Sequence, residues 1–118
     1  MISRAEHISA GGERPYQLNI LLGYGGREEL VDAINSLIRS GHKSVDEKSI
    51  NESLYTYGIP DPDLVIRTSG EQRLSGLMPW QSCYSELYFS KKLWPDFSKK
   101  DFIAALRDYS RRKRRFGK

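Results

Sequence analysis

One short segment of the sequence concentrates side chains that can hold a phosphate group. It brings two guanidinium groups, three hydroxyls and a glycine within nine residues: Arg67, Thr68, Ser69, Gly70, Arg73 and Ser75. Guanidinium forks match phosphate oxygens, hydroxyls donate to them, and glycine lets backbone N–H groups approach. A diphosphate carries several negative charges near neutral pH and needs several such donors at once. The segment is a candidate diphosphate site, and the alternative from residue types alone is a solvated loop whose arginines pair with Asp61, Asp63 or Glu71.

Two other places could bind a charged ligand, and each has an ordinary structural alternative. Residues 23–27 lie between an apolar run and a helical pattern, where N–H groups can meet an anion or simply form a tight turn. Glu86 lies among aromatic residues and can either bind a hard metal ion or pair with an arginine. His7, His42 and the single cysteine, Cys83, show no spacing of a metal site or of a nucleophile with its base.

Three apolar runs predict the strands that position these residues. YQLNILLGY, residues 16–24, is continuous rather than alternating, which is typical of a strand covered on both faces in a parallel sheet. DLVIRT, residues 63–68, predicts a second strand that leads directly into the arginine segment. Residues 86–89 predict a third strand.

Helical periodicity separates the strands. After residue 26, one face carries Leu30, Val31, Ile34, Leu37 and Ile38, and Gly41 is the expected stop. A second helix is predicted to begin at Ser44, which with Glu47 fits a capping box, and to run through Leu54. A third begins at Ser98, with Asp101 completing its box. The alternation predicts an α/β fold with a mostly parallel sheet and flanking helices, whose ligands bind beyond the carboxyl ends of the strands.

Composition limits the function classes further. A chain of 118 residues is one domain in length, and no apolar stretch approaches the roughly 20 residues that cross a bilayer, so a cytoplasmic protein is expected. The net charge of +4 is uneven, because residues 107–118 hold seven Lys or Arg and one Asp. Such a basic end can attract nucleic acid, an anionic membrane surface or a phosphorylated small molecule.

Five segments resemble successive motifs of the cis-prenyltransferases of the undecaprenyl diphosphate synthase type, in the family's order and at about its spacing. They are NILLGYGGR at 19–27, DLVIRTSGEQRLS at 63–75, WQSCYSELYF at 80–89, LWPDF at 93–97 and RRFG at 114–117. The resemblance implies part of that family's fold and its reaction, in which isopentenyl diphosphate is condensed onto an allylic prenyl diphosphate with a new cis double bond.

The resemblance also implies a role for particular residues. Three match positions that hold the diphosphate of isopentenyl diphosphate, namely Arg67, Arg73 and Ser75. Glu86 matches a position implicated in Mg²⁺ binding across a subunit interface. The terminal Arg-x-Gly, Arg115 and Gly117, matches a motif that adds donors to the neighbouring subunit's site. A supporting role near the site is implied for Asn19, Tyr24 and Arg27.

Two departures from the family pattern shape the expectation. Pro79 stands where the family usually has an apolar residue such as leucine, which affects a local turn. The family's first motif, Met-Asp-Gly-Asn-x-Arg-Trp, supplies a Mg²⁺-binding aspartate and the loop for the allylic diphosphate, and it does not occur in this sequence. The sequence is therefore interpreted as an irregular lead-in, residues 1–15, followed by the C-terminal half of a cis-prenyltransferase domain, residues 16–118.

A half domain leaves apolar faces and a sheet edge uncovered, so a partner is expected. The partner is either another copy of the chain or a chain that supplies the N-terminal half. Alone, the protein should bind isopentenyl diphosphate weakly and elongate little, and association with the membrane would come through the lipid product. The rival hypotheses are a non-catalytic accessory subunit and a basic nucleic-acid-binding module.

Overall fold

The computed structural model describes residues 16–113, which form an α/β arrangement as predicted. In chain order the regular elements are α1 (Gly26–Arg39), α2 (Glu47–Ser53), β1 (Leu64–Arg67), β2 (Glu86–Phe89) and α3 (Lys99–Arg111), with a 3₁₀ turn at Trp94–Asp96 before α3. The lead-in predicted for residues 1–15 lies outside the described residues.

The two strands pair in parallel, with Leu64 opposite Glu86 and Arg67 opposite Phe89. Every residue of both strands is half-buried. A parallel pair brings the carboxyl ends of its strands to the same edge, and here the two following loops are hydrogen-bonded to each other. The N–H groups of Ser69 and Gly70 donate to the carbonyl oxygens of Lys92 and Ser90, at 2.7 and 2.9 Å.

The strand predicted for residues 16–24 does not form, and that prediction is wrong for the chain as the structure describes it. Residues 16–22 are irregular, and Tyr16 and Leu18 are 90% and 85% exposed. A strand needs a hydrogen-bonded neighbour, and β1 has paired with β2 instead. The apolar run therefore has strand composition but no strand beside it within residues 16–113.

Helix α1 has the predicted position, but a different side of it is buried. It begins directly after Gly25, and the chain turns away at Gly41, whose φ of +83° suits a glycine at a helix end. The side that packs inward carries Glu29, Ala33 and Leu37. Leu37 belongs to the predicted apolar face, whose member Leu30 is half-buried, whereas Val31, Ile34 and Ile38 are exposed.

The cap of α2 differs from the predicted one. Asp46 is the N-cap, since its Oδ1 accepts from the N–H of Ser49 at 2.8 Å while Ser49 Oγ accepts from the N–H of Asp46 at 3.0 Å. The prediction of Ser44 with Glu47 was wrong because two overlapping capping patterns compete here, and the helix starts at the one two residues later. In α3 the predicted box is confirmed, and Asp101 Oδ2 accepts from the N–H of Ser98 at 2.8 Å.

The apolar core of the described part is small. Four apolar residues are fully buried: Ala33, Leu37, Leu54 and Ala105. Helices α1 and α2 pack together, and α3 packs against β2. Because the large apolar side chains of residues 16–22 and of α1 stay exposed, the core that these elements could build is incomplete.

Candidate functional site

Arg67, the last residue of β1, has a buried donor with no acceptor. Its carbonyl oxygen accepts from the N–H of Ser90 at 2.8 Å, so the backbone is fixed against the loop that follows β2. The side-chain Nε is buried and has no hydrogen-bond partner among the described residues. A buried polar group without a partner is costly, and in native proteins it commonly marks a place for a missing ligand or water. Arg67 therefore has donor capacity that the described residues leave unused.

The loop that follows, residues 68–76, can offer an anion mainly side-chain donors, because backbone N–H groups in it are already hydrogen-bonded. Its conformation depends on positive φ angles at Ser69, Gly70 and Ser75, of 74°, 74° and 51°. For the two serines this is an uncommon conformation, which the surrounding hydrogen bonds must maintain. The N–H of Gly70 is already committed to Ser90, so the expected approach of that N–H to a phosphate is not available in this conformation.

Arg73 and Ser75 lie in the same loop, on its exposed part. Arg73 NH1 lies 2.5 Å from Glu71 Oε2, in a pair whose side chains are 63% and 41% exposed. This is one of the ion pairs that the sequence left open as an alternative. An exposed pair of this kind stabilises by less than about 1 kcal/mol, so a diphosphate can compete with Glu71 for the guanidinium.

Glu86 lies at the amino end of the strand pair, and Arg67 lies at its carboxyl end. Glu86 is the first residue of β2, and Arg67 is opposite Phe89, three residues further along. At about 3.3 Å per residue, the two backbone positions are separated by about 10 Å along the strands. The strand register therefore places the predicted metal ligand and Arg67 at opposite ends of the parallel pair.

The Glu86 carboxylate is engaged in an ion pair with the end of α3. Its Oε2 accepts from Arg112 NH1 at 2.8 Å, and the same guanidinium donates to Asp108 Oδ2 and to the carbonyl oxygen of Leu87. These contacts raise the pKa of Arg112, with the hydrogen bond to Glu86 as the largest cause. Residues 16–113 contain no group of three His, Cys, Asp or Glu side chains able to hold a metal ion. Glu86 fits Mg²⁺ as one hard oxygen ligand, and the other ligands have to come from elsewhere.

A polar cluster that the sequence did not reveal forms around Glu29, whose side chain is only 1% exposed. Glu29 Oε2 accepts from the Tyr24 hydroxyl at 2.5 Å and from Gln81 Nε2 at 3.0 Å, and Oε1 accepts from the Tyr55 N–H at 2.9 Å. Gln81 Nε2 also donates to Thr56 Oγ1 at 2.9 Å. Burial and the Glu29 hydrogen bond raise the pKa of the Tyr24 phenol. These five residues, the Glu29 cluster, join four segments of the chain.

The sequence contained one usable signal for this cluster. Glu29 lies four and eight residues before Ala33 and Leu37, on the side of α1 that is buried. Its position in the first helical turn had suggested only a favourable interaction with the helix dipole. The two roles are compatible, but burial gives the carboxylate its partners.

Residues 23–27 form a tight turn docked against the loop at residues 76–79. The N–H of Gly26 donates to the carbonyl oxygen of Gly76 at 3.0 Å. A Cβ on Gly26 would lie 2.1 Å from Pro79 Cδ and 2.5 Å from the same carbonyl oxygen, so the close approach requires glycine. This supports the turn alternative over an anion cradle at Gly26, and it gives Pro79 a packing role.

Arg67 and residues 68–76 together are called here the Arg67 loop. The remaining predicted residues are not brought to the Arg67 loop within the described chain. Asn19 is exposed, and its Oδ1 accepts from Gln17 Nε2 at 2.9 Å. Arg27 is exposed on the first turn of α1. Arg115 and Gly117 lie outside the described residues. None of the helices within residues 16–113 has the length and apolar character needed to span a membrane.

The chain matches the family model Prenyltransf, described as undecaprenyl diphosphate synthase, over residues 1–117. It is 57% identical to isoprenyl transferase 1 of Corynebacterium efficiens, over 86% of this chain and 43% of that protein. It is 54% identical to the isoprenyl transferase of Thermus thermophilus, over 91% of this chain and 44% of that protein. The crystal structure of lavandulyl diphosphate synthase from Lavandula x intermedia, in complex with dimethylallyl diphosphate, matches with a TM-score of 0.89 and 38% identity, over 99% of this chain and 52% of that one.

An α/β chain with unused arginine donors at the carboxyl end of a parallel strand thus has relatives among prenyl diphosphate synthases. The chain belongs to the cis-prenyltransferase family typified by undecaprenyl diphosphate synthase. It spans about half the length of the relatives it matches.

Proposed function

We propose that this chain is the isopentenyl-diphosphate-binding part of a cis-prenyltransferase that elongates an allylic prenyl diphosphate. The observation that carries the proposal is the buried Arg67 Nε, at the carboxyl end of β1, which has no partner among the described residues. Parallel α/β folds bind their ligands at this end of the strands. Family membership supports the same choice of ligand, because its named members transfer prenyl groups.

Several side chains of the Arg67 loop would bind the diphosphate together. Arg67 supplies a guanidinium whose backbone is fixed, and Ser75 supplies an exposed hydroxyl. Arg73 supplies a second guanidinium once the diphosphate replaces Glu71 as its partner. Arg115 and Gly117 would add donors to the site of a neighbouring subunit. Binding by several fixed cations orients the homoallylic double bond and lowers the entropic cost of the reaction.

In the complete reaction, the C–O bond between the allylic carbon and its diphosphate breaks, and the isopentenyl double bond attacks that carbon. A proton then leaves the isopentenyl unit to restore neutrality and form the new double bond. Glu86 would be one ligand of Mg²⁺, which when bound neutralises charge on the departing diphosphate. Asn19, Tyr24 and Arg27 would support the site, Tyr24 through its bond to Glu29.

The separation of Arg67 from Glu86 supports a site shared between chains. About 10 Å of strand lies between their backbone positions, and residues 16–113 hold no group of three metal-ligating side chains, so ligands from a second chain would complete the site. The partner is either a second copy or a chain that supplies the N-terminal half, including the allylic diphosphate site. The proposed location is the cytoplasm, with contact to the membrane through the polyprenyl product.

Calorimetric titration of the purified chain with isopentenyl diphosphate tests the proposal. Arg67→Ala should weaken binding by at least about 30-fold, equivalent to about 2 kcal/mol, because a fixed charge-assisted contact is lost. Arg39→Ala, at an exposed arginine in the last turn of α1, is the matched control and should bind like the parent chain. Equal losses in the two variants would reduce the interaction to general electrostatic attraction and contradict the proposal.

Two other outcomes would favour the rival hypotheses. A complex with a catalytic partner that elongates normally with Arg67→Ala would make this chain an accessory subunit, a role compatible with the ion pair that occupies Glu86. Affinity for nucleic acid that falls steeply with salt and ignores Arg67→Ala would indicate a basic nucleic-acid-binding module.

A further inference from the structure

A second loop, which follows β2, lies against the Arg67 loop at the carboxyl end of the strand pair. The N–H groups of Ser69 and Gly70 donate to the carbonyl oxygens of Lys92 and Ser90, at 2.7 and 2.9 Å. Lys91 lies between the two residues whose carbonyl groups accept these hydrogen bonds. The backbone of Lys91 is therefore fixed beside the Arg67 loop.

Gly70 makes the approach of the two loops close. A Cβ on Gly70 would lie 3.9 Å from the Cα of Lys91, which is ordinary van der Waals contact. Gly70 has no side chain and a φ of +74°, so this part of the Arg67 loop stays open to a neighbouring side chain. Lysine carries its ammonium on a flexible four-carbon stem, which lets a backbone held at this distance place a positive charge beside the loop.

Two of the lysine and arginine side chains in these loops already have an acidic partner. Arg73 pairs with Glu71, and Lys92 pairs with Asp101, at 2.5 and 2.9 Å. The exposed Lys91 ammonium has no ion-pair partner within the part of the chain that the structure describes. An exposed lysine is ordinarily only hydrated. This one differs because its backbone is held next to a loop that has an unused buried donor of its own.

We propose that Lys91 is a further diphosphate-binding residue, whose ammonium contacts phosphate oxygens held by the Arg67 loop. The inference rests on the proposed function and adds a ligand to its site, because the family resemblance implies roles for Arg67, Arg73 and Ser75 but none for Lys91. A diphosphate carries several negative charges, and two guanidinium groups balance only part of them. Lysine binds phosphate as a point charge, so it adds a third positive charge while the guanidinium groups set the orientation.

Titration calorimetry of the purified chain tests the inference, with inorganic diphosphate as one probe and isopentenyl diphosphate as the other. Lys91→Gln removes the charge at an exposed position and should weaken the binding of both probes at least about fivefold, because a charge-assisted contact is lost. Lys91→Arg restores a positive charge and should bind both probes within about twofold of the parent chain. A role in the structure of the loop alone would not be rescued in this way.

Two matched controls remove one positive charge each from elsewhere. Lys92→Gln changes the adjacent residue, whose ammonium already pairs with Asp101. Lys43→Gln changes an exposed lysine between α1 and α2. Each control should change the affinity for either probe by no more than about twofold, since neither ammonium is proposed to contact the ligand. Equal weakening in Lys91→Gln and both controls would reduce the effect to general electrostatic attraction and overturn the inference.

The two probes separate this inference from the proposed function. Unchanged affinity for both probes in Lys91→Gln would overturn the inference and leave the proposed function standing, and so would a Lys91→Arg variant that binds as weakly as Lys91→Gln. A parent chain that binds inorganic diphosphate through Lys91 but does not bind isopentenyl diphosphate would contradict the proposed function and support the Lys91 contact. A parent chain that binds neither probe would contradict both.

Discussion

The Glu29 cluster and the Arg67 loop are both polar, yet they differ in how their hydrogen-bonding groups are used. Both Glu29 oxygens accept hydrogen bonds, from a hydroxyl, an amide side chain and a backbone N–H. Among residues 16–113, Arg67 keeps a buried donor without an acceptor, and Arg73 pairs with the exposed side chain of Glu71. Gln81 Oε1 is the one buried acceptor of the Glu29 cluster left without a partner within the described residues.

This difference separates a structural cluster from a binding site. A satisfied buried network fixes the segments that it joins, and its removal costs stability. A donor that remains unsatisfied lowers stability in the free protein but is available to a ligand. The Glu29 cluster is accordingly expected to matter for folding, and the Arg67 loop for binding.

The largest expected effect comes from Glu29→Ala. It leaves the donors of Tyr24, Tyr55 and Gln81 without their acceptor and should lower the free energy of unfolding by about 3 kcal/mol. Urea denaturation of the purified chain measures the change. The control is Glu28→Ala, at the exposed neighbour in the same helical turn, which should change stability by no more than about 0.5 kcal/mol. Similar losses of stability in Glu29→Ala and Glu28→Ala would mean that the Glu29 cluster has no special structural role.

An intermediate effect is expected from Glu71→Gln. The substitution releases Arg73 from its exposed ion pair and should raise the affinity for isopentenyl diphosphate by about two- to fivefold. Calorimetric titration beside the parent chain measures it. Glu47→Gln, at an exposed carboxylate in the first turn of α2, serves as a control for the change in net charge alone. An unchanged affinity after Glu71→Gln would mean that Arg73 does not contact the diphosphate.

The smallest effect is expected on the free energy of unfolding of the chain when Arg67 is replaced. Arg67→Met keeps the length of the side chain and removes donors, including an Nε that has no acceptor to lose. The free energy of unfolding in urea should not fall, and it should rise by up to about 0.5 kcal/mol because a buried donor without an acceptor is removed. A loss approaching that of Glu29→Ala would show that Arg67 builds the fold, and the contrast between the two regions would fail.

Features that depend on neighbouring residues in the sequence were predictable. β1, β2, α1 and α3 lie where apolar runs, helical periodicity and caps indicated, because those signals act over a few residues. The loop after β1 was predicted for the same reason. The cap of α2 was wrong by two residues because Asp46 and Ser44 offer competing starts at short range.

Features that depend on distant residues were not predictable. Glu29 is buried by Tyr24, Tyr55 and Gln81, which come from separate segments, and no local pattern reports their convergence. The register that puts Arg67 opposite Phe89, and so away from Glu86, is likewise set by strand pairing. Residues 16–24 have the composition of a strand, but whether a strand forms depends on a neighbour that local sequence does not supply.

Gly26 and Pro79 are far apart in the sequence but closely packed in the fold, so the effect of a substitution at one position depends on the residue at the other. A methyl group at Gly26 would overlap the proline ring, so it is tolerated only if the loop at residues 76–79 shifts. That shift would carry Gln81 with it and loosen its bond to Glu29. Substitutions at positions 26, 79 and 81 should therefore be non-additive, with a double-mutant cycle giving a coupling energy of about 0.5–3 kcal/mol. Variation at these positions is constrained jointly, although position 26 is more than fifty residues from positions 79 and 81 in the chain.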